Sequence, residues 1–336
     1  MTLPPLSPST DNQIVNDPTT RASLLRRSLQ QMLAFGGLIA IFIVFAIASP
    51  DVFPSYTNVI QILFSAVVIG LLALGSTLVI ITAGIDLSVG TGMALCAVMS
   101  ATFIVTWHIP VVLGVILAIL FGGLIGMLNG FSVALLKLPP FIATLAMMMV
   151  ASGLALVVSN KRPIYFDPGA YTNLSTGSLI PGSNFPNAII VYAIAAIVAG
   201  LLLSRTILGR YDLAIGSNAE ATALSGINVR VWTIIIYAVA GLFTGLAGVM
   251  ISARLGSAQP ATGQGYELYA IAAVVIGGTS LAGGKGSILG TVIGSLIIAV
   301  INNGLQIVSV PQEWQNVILG AVILAAVFAD QFRERA

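Results

Sequence analysis

Two acidic residues of this 336-residue chain each sit among glycines beside long apolar stretches. Asp86 lies in AGIDLSVGTG (residues 83–92), and Glu267 lies near the end of ARLGSAQPATGQGYEL, just before the apolar run that follows. A carboxylate in such a setting could move protons, ligate a metal or line a polar path. The first two roles need companions, and neither residue has them: no nucleophile, base or metal set is nearby in sequence. Cys96 and His108 are the only residues of their types, which leaves no cluster from which to build a transition-metal site. Lys285, in GGTSLAGGKG at 277–286, imitates the lysine of a phosphate-binding loop. That loop needs Gly at position 279 and Ser or Thr at 286, where Thr279 and Gly286 stand. This chain is therefore not expected to bind ATP, and no cofactor or metal is expected on it.

Composition says what must position these residues. Hydrophobic residues make up 57% and charged residues 7%, and the mean hydropathy is +1.04. A soluble domain would carry about 25% charged residues. The chain reads as an all-α polytopic membrane protein. Candidate spans are 33–49, 59–83, 88–106, 110–136, 140–158, 188–203, 231–251, 268–281, 288–308 and 313–328, ten in all with an uncertainty of one. A net charge of +2, with no basic patch, excludes nucleic acid as a partner.

With the amino terminus in the cytoplasm, ten of the 13 Lys and Arg residues face inward, leaving Lys161, Arg162 and Arg254 outside. Both termini are then cytoplasmic. Residues 1–30 are expected to be a disordered tail, 31–330 a single membrane domain and 331–336 a short tail. The 159–187 connection reads as an irregular external loop, either a plain connector or a landing surface.

The 205–230 connection is a polar island on the cytoplasmic side, holding five charges. Ser217 and Glu220 fit a capping box, Ala219, Ala221, Ala223 and Leu224 favour helix, and Gly226 is placed to end it. Two turns span roughly 12 Å, too short to cross a bilayer or to stand alone. Such a helix either lies on its own domain or docks on a second protein.

Glycines four apart (Gly122, Gly126, Gly130; Gly241, Gly245; Gly286, Gly290, Gly294) offer faces on which lipid-embedded helices approach closely. The Asp86-Leu87-Ser88 step could cap the following span or mark a helix break that opens onto a pathway, with Gly90 giving freedom there. Asn129, Thr144, Asn302, Asn303 and Gln306 are polar residues within spans, able to bond a neutral polyol or to join helices. No span carries a chain of Asp, Glu or His of the kind a proton relay uses, which disfavours a proton-coupled carrier. Gln259, Gln264 and Glu267 are candidates for an outward vestibule or a contact with an external partner.

Several segments together resemble the permeases of bacterial ribose-type ABC transporters: GIDLSVG at 84–90, FIATL at 141–145, LGRYDLAIGSNAEATALSGINV at 208–229, ARLGSAQPATGQGYEL at 253–268, AIAAVVIGGTSLAGGKGS at 270–287 and NNGL at 302–305. The similarity runs from about Phe53 to the carboxyl terminus. It implies a type II ABC importer fold in the bacterial inner membrane. It also implies a second permease subunit (identical or not), two cytoplasmic ATPase domains carrying ATP and Mg, and a periplasmic sugar-binding protein. Gly209, Gly216, Ser217, Asn218, Ala219, Glu220, Ala221, Leu224, Ser225 and Gly226 would then form the ATPase-coupling segment. Tyr269 stands where those permeases carry an acidic residue, which leaves a monosaccharide as the expected cargo rather than ribose in particular. The rival reading is a secondary carrier for a small polar solute.

Overall fold

The computed structural model describes residues 18–180 and 184–335. Thirteen α-helices make up nearly all of it: α1 (Pro18–Ala48), α2 (Tyr56–Ile81), α3 (Val89–Ala101, continued by a π-turn Thr102–Thr106), α4 (Val111–Ala134), α5 (Pro140–Val158), α6 (Ala170–Thr176), α7 (Asn187–Arg205), α8 (Ile207–Ser217), α9 (Ala219–Leu224), α10 (Val229–Leu255), α11 (Tyr266–Ile276), α12 (Ile288–Ile307) and α13 (Gln312–Arg335). Each of the ten expected spans corresponds to a helix. Seven are long and apolar enough to cross a membrane; the apolar part of α1 and all of α11 are shorter.

Two tails differ from expectation. Helix α1 begins at Pro18, so the latter part of the 1–30 tail is helical, while residues 1–17 lie outside the described residues. At the other end α13 runs to Arg335, through most of the expected 331–336 tail. The 159–187 connection is also more ordered than its lack of periodicity suggested. It holds α6 and a strand β1 (Ile164–Tyr165) that pairs antiparallel with β2 (Ser257–Ala258).

Helix α2 is the axis of the molecule, buried along most of its length, whereas α4, α5 and α7 leave much of their apolar surface exposed. Exposed Leu and Ile are the normal lipid-facing condition for a span, so burial here is set by helix neighbours and not by hydrophobicity. Glycine decides the closest approach. A Cβ on Gly126 or Gly241 would strike the backbone of the facing helix, so α4 and α10 meet backbone to backbone along the Gly122–Gly130 face. Gly290 and Gly294 meet Gly277 and Ala273 in the same way, joining α12 to α11. Both seams are consumed within one subunit.

Buried hydroxyls fasten the remaining contacts. Thr77 and Thr291 lie 2.7 Å apart, Tyr192 and Ser295 2.8 Å, and Tyr171 on α6 reaches Ser252 at 2.7 Å and Ser100 at 2.9 Å. Arg254, at the carboxyl end of α10, lies 4.1 Å from the Phe64 ring centroid and donates to the Phe64 carbonyl at 3.3 Å. That arginine was legible only as an outward charge. In the structure it ties α10 to α2.

Candidate translocation pathway and docking surface

Two helix breaks place the acidic residues. The first is the stretch between α2 and α3. Ala83 turns the chain with φ of 62°, and the chain then runs without helix to Ser88. Asp86 Oδ1 accepts from the Ser88 amide at 2.8 Å and from Ser88 Oγ at 2.6 Å. Asn129 Nδ2, on α4, donates to Asp86 Oδ2 at 3.3 Å and to Ser88 Oγ at 2.8 Å. Thr144 Oγ1, on α5, accepts from the Leu87 amide at 3.1 Å. Four of the expected pathway residues (Asp86, Ser88, Asn129, Thr144) therefore form one buried cluster. Ser88 caps α3 by position without a side-chain cap bond, so Asp86 supplies the local bond instead. Tyr237 of α10, which the sequence did not mark, brings its hydroxyl against Gly84, and it has no hydrogen-bond partner among the described residues.

The second break is the stretch Gly256–Gly265 between α10 and α11, with β2 at its start. Past β2 the chain runs against α3, where Gly263 lies on the Gly90 carbonyl of its first turn. Glu267, in the first turn of α11, accepts from the Gly265 amide with Oε1 at 3.2 Å. Its Oε2 points at Gly90, and a Cβ on Gly90 would strike both that oxygen and the Gly263 carbonyl. Glu267 is thus half-buried against α3, whereas Gln259 and Gln264 are exposed.

Asn302, Asn303 and Gln306 do not join this region. Asn303 Nδ2 donates to Asn58 Oδ1 at 2.9 Å, and Asn58 in turn donates to the Phe53 carbonyl at 2.8 Å. Asn58 lies in the first turn of α2 and Asp86 just past its last, so they stand at opposite ends of a helix whose 26 residues span roughly 39 Å. What Asn303 does there is join α12 to α2.

The polar island folds as two helices, α8 and α9, joined at Asn218. The expected capping box on Ser217 does not form. Asn218 is the cap, and its Oδ1 accepts from the Ala221 amide at 2.9 Å. The shift by one residue follows from α8, which carries Ser217 as its last residue and leaves Asn218 with extended backbone, the conformation a cap requires. Gly226 then ends the segment with φ of 86°. Of α9 only Thr222 is buried, and Leu224 is 89% exposed. This is an apolar side chain in a polar segment with no contact of its own to make.

The island is fixed to the membrane part at Gly216 and at Tyr211, whose ring stands edge-on to Trp232 of α10 with centroids 4.7 Å apart. Gly216 lies against the Ile81 carbonyl with no room for a Cβ, and Gly284 donates to the same carbonyl at 2.9 Å. Ile81 is the last residue of α2 and stands immediately before the first break. Asp212, on α8, is fully buried, and neither of its carboxylate oxygens has a hydrogen-bond partner among the described residues. Burial without a compensating donor pushes its pKa well above the usual carboxylate range. Sequence gave no sign of this, because Asp212 sits in a charged segment where exposure is the ordinary state.

Helix breaks buried within a bundle of spans, and a glycine-seated helical segment presented at one end, are features of a solute-moving membrane protein. Comparison with known proteins decides which. Residues 58–327 match the family described as branched-chain amino acid transport system / permease component. The chain belongs to this permease family. Ribose import permease protein RbsC of Haemophilus influenzae is 40% identical over 310 residues, covering 91% of this chain and 94% of that one. The protein of the same name in Escherichia coli K12 is 43% identical over 303 residues, covering 88% and 93%. The D-allose transport system permease protein AlsC of Escherichia coli K12 is 38% identical over 294 residues, covering 88% and 89%. No solved structure matches the permease.

Proposed function

We propose that the permease is one membrane subunit of an ATP-driven importer of a neutral monosaccharide in a bacterial inner membrane, with both termini cytoplasmic. In this reading it pairs with a second permease subunit and receives sugar from a periplasmic binding protein. A separate ATPase subunit docks on α9 and holds the ATP and Mg. The observation that carries it is the exposed α9, capped by Asn218 and carrying small residues and an outward Leu224, which is seated through Gly216 on the end of α2. Small side chains let a helix settle deep in a groove. A push on α8 would reach Ile81 directly, and through it the first break. The sidedness is supported by contacts as well as by charge. Gly216, Ala83 and Gly283 meet at one end, while β1 and β2 pair at the other. The sugar class rests on relatives whose names specify ribose and D-allose.

The test is a pull-down of the ATPase on tagged permease, run beside uptake of radiolabelled D-ribose in cells carrying the full transporter. Ala221→Arg is expected to leave the permease inserted while losing both ATPase capture and uptake. Wild-type capture and uptake by that variant would remove α9 as the docking element. Uptake that persists after ATP depletion would instead favour the secondary carrier.

A further inference from the structure

The second break holds acceptors that nothing in the closed molecule uses. Glu267 Oε2 and Thr262 Oγ1 are both buried, and neither has a hydrogen-bond partner among the described residues. Their surroundings explain why. What faces Glu267 Oε2 is Gly90 in the first turn of α3, and the Thr91 hydroxyl of that turn is directed to the Ser88 carbonyl instead. A buried acceptor without a donor is costly, so this contact is held closed at the expense of two unmade bonds.

We propose that Thr262 and Glu267 form a constriction on the solute path, closed in this structure, which accepts hydrogen bonds from the hydroxyls of a neutral polyol when the 259–265 segment, beyond β2, withdraws from α3. The inference rests on the transport reading above. Three observations carry it. The segment has a joint at its α11 end, where Gly265 has φ of 87°, while β2, paired with β1, anchors the other end. The contact it makes is mainly backbone, Gly263 against Gly90 with the Ala94 methyl beside it, so little side-chain packing is lost when it parts. Non-helical backbone at this depth is stable only where it is covered by protein or borders a water-filled space, and two broken helices begin here within contact of each other.

The chemistry selects a neutral donor over a cation. Glu267 lies in the first turn of α11 and beside the first turn of α3, so two helix amino ends offset its negative charge. Its Oε1 is already engaged by the Gly265 amide. What remains is one carboxylate oxygen and one hydroxyl, a pair suited to adjacent hydroxyl groups.

The experiment uses the whole transporter in cells, with D-ribose and its monodeoxy analogues as probes. The binding protein sets the sugar concentration for half-maximal uptake, so the constriction should appear in the maximal rate. Glu267→Gln and Thr262→Val are each expected to lower the maximal rate for D-ribose about tenfold with KM unchanged, the weight of one hydrogen bond to a charged or buried group. Thr262→Ser should restore it. For at least one deoxy analogue the loss should be clearly smaller, because the hydroxyl that met the altered residue is already gone. Equal loss for every sugar would mark a packing role and overturn the proposal, as would wild-type rates in both variants. A second readout does not need those variants. Thr262→Cys in a Cys96→Ala background should react with an impermeant thiol reagent about tenfold faster during turnover than at rest, and equal rates would overturn the proposal too. Failure of the wild type to import any of these sugars would sink the transport reading and this inference together.

Discussion

The two helix breaks hold the same chemistry in opposite states. In the first, Asp86 has both oxygens engaged, through Ser88 on its own strand of chain and Asn129 on α4. In the second, Glu267 has one oxygen engaged by its own turn, and the other faces a glycine. The difference lies in the neighbours. Helices α4 and α5 bring Asn129 and Thr144 to the first break, whereas α3 brings the Gly90 backbone and the apolar Ala94 to the second. A carboxylate surrounded by donors holds its break in place, and one left short of donors sits at a contact that can part. The first break therefore fits a fixed strut and the second a moving one, although in sequence both read as glycines around an acid.

That contrast can be broken most directly at Gly90, where the two regions touch. Gly90→Val would drive a branched side chain into Glu267 and the Gly263 carbonyl, and uptake of D-ribose should be lost while the ATPase still co-purifies. Normal uptake would mean that the two breaks do not meet during transport. The next largest effect separates strut from gate by stability. Asp86→Ala strands the donors of Ser88 and Asn129 and should destabilise the permease by about 2–3 kcal/mol, read from thermal unfolding in detergent. Glu267→Ala, which removes a single backbone contact, should cost less than about 1 kcal/mol. Equal losses at the two sites would erase the distinction drawn here.

Asp212 is a third acid, more completely unpartnered than Glu267, and pH tests it. Its folded pKa is raised above the ordinary 3.8, so the neutral form favours the fold. The stability it contributes is fully present below the ordinary value and is lost as pH rises through the folded one. Thermal stability of the wild type should fall over that rise, and Asp212→Asn should flatten the slope. An identical pH profile in the variant would show that Asp212 finds a partner in the membrane-embedded protein. The smallest effect belongs to the first break. Tyr237→Phe removes a hydroxyl with no partner among the described residues and should change stability by less than about 0.5 kcal/mol. A larger loss would mean that a water or a solute completes that site.

The membrane class, the helices and the small-residue seams were legible in the sequence because each is a local property. An apolar run long enough to span lipid announces itself, and glycines four apart share a helix face whatever lies opposite. The polar island was legible for the same reason, as charge and helix formers between two apolar runs. Its cap was read one residue early, on Ser217 instead of Asn218, because the extra helix α8 that sets the register ends at Ser217. The pathway residues divided only once the helices were packed. Asp86 and Asn129 are 43 positions apart and Leu87 and Thr144 are 57 apart, yet they bond, while Asn303 bonds to Asn58 across 245 positions. Residue type determines which groups need partners. Only the packing of distant helices decides who supplies them, and so whether Asp86, Glu267 and Asp212, alike in sequence, are satisfied, half-satisfied or left alone.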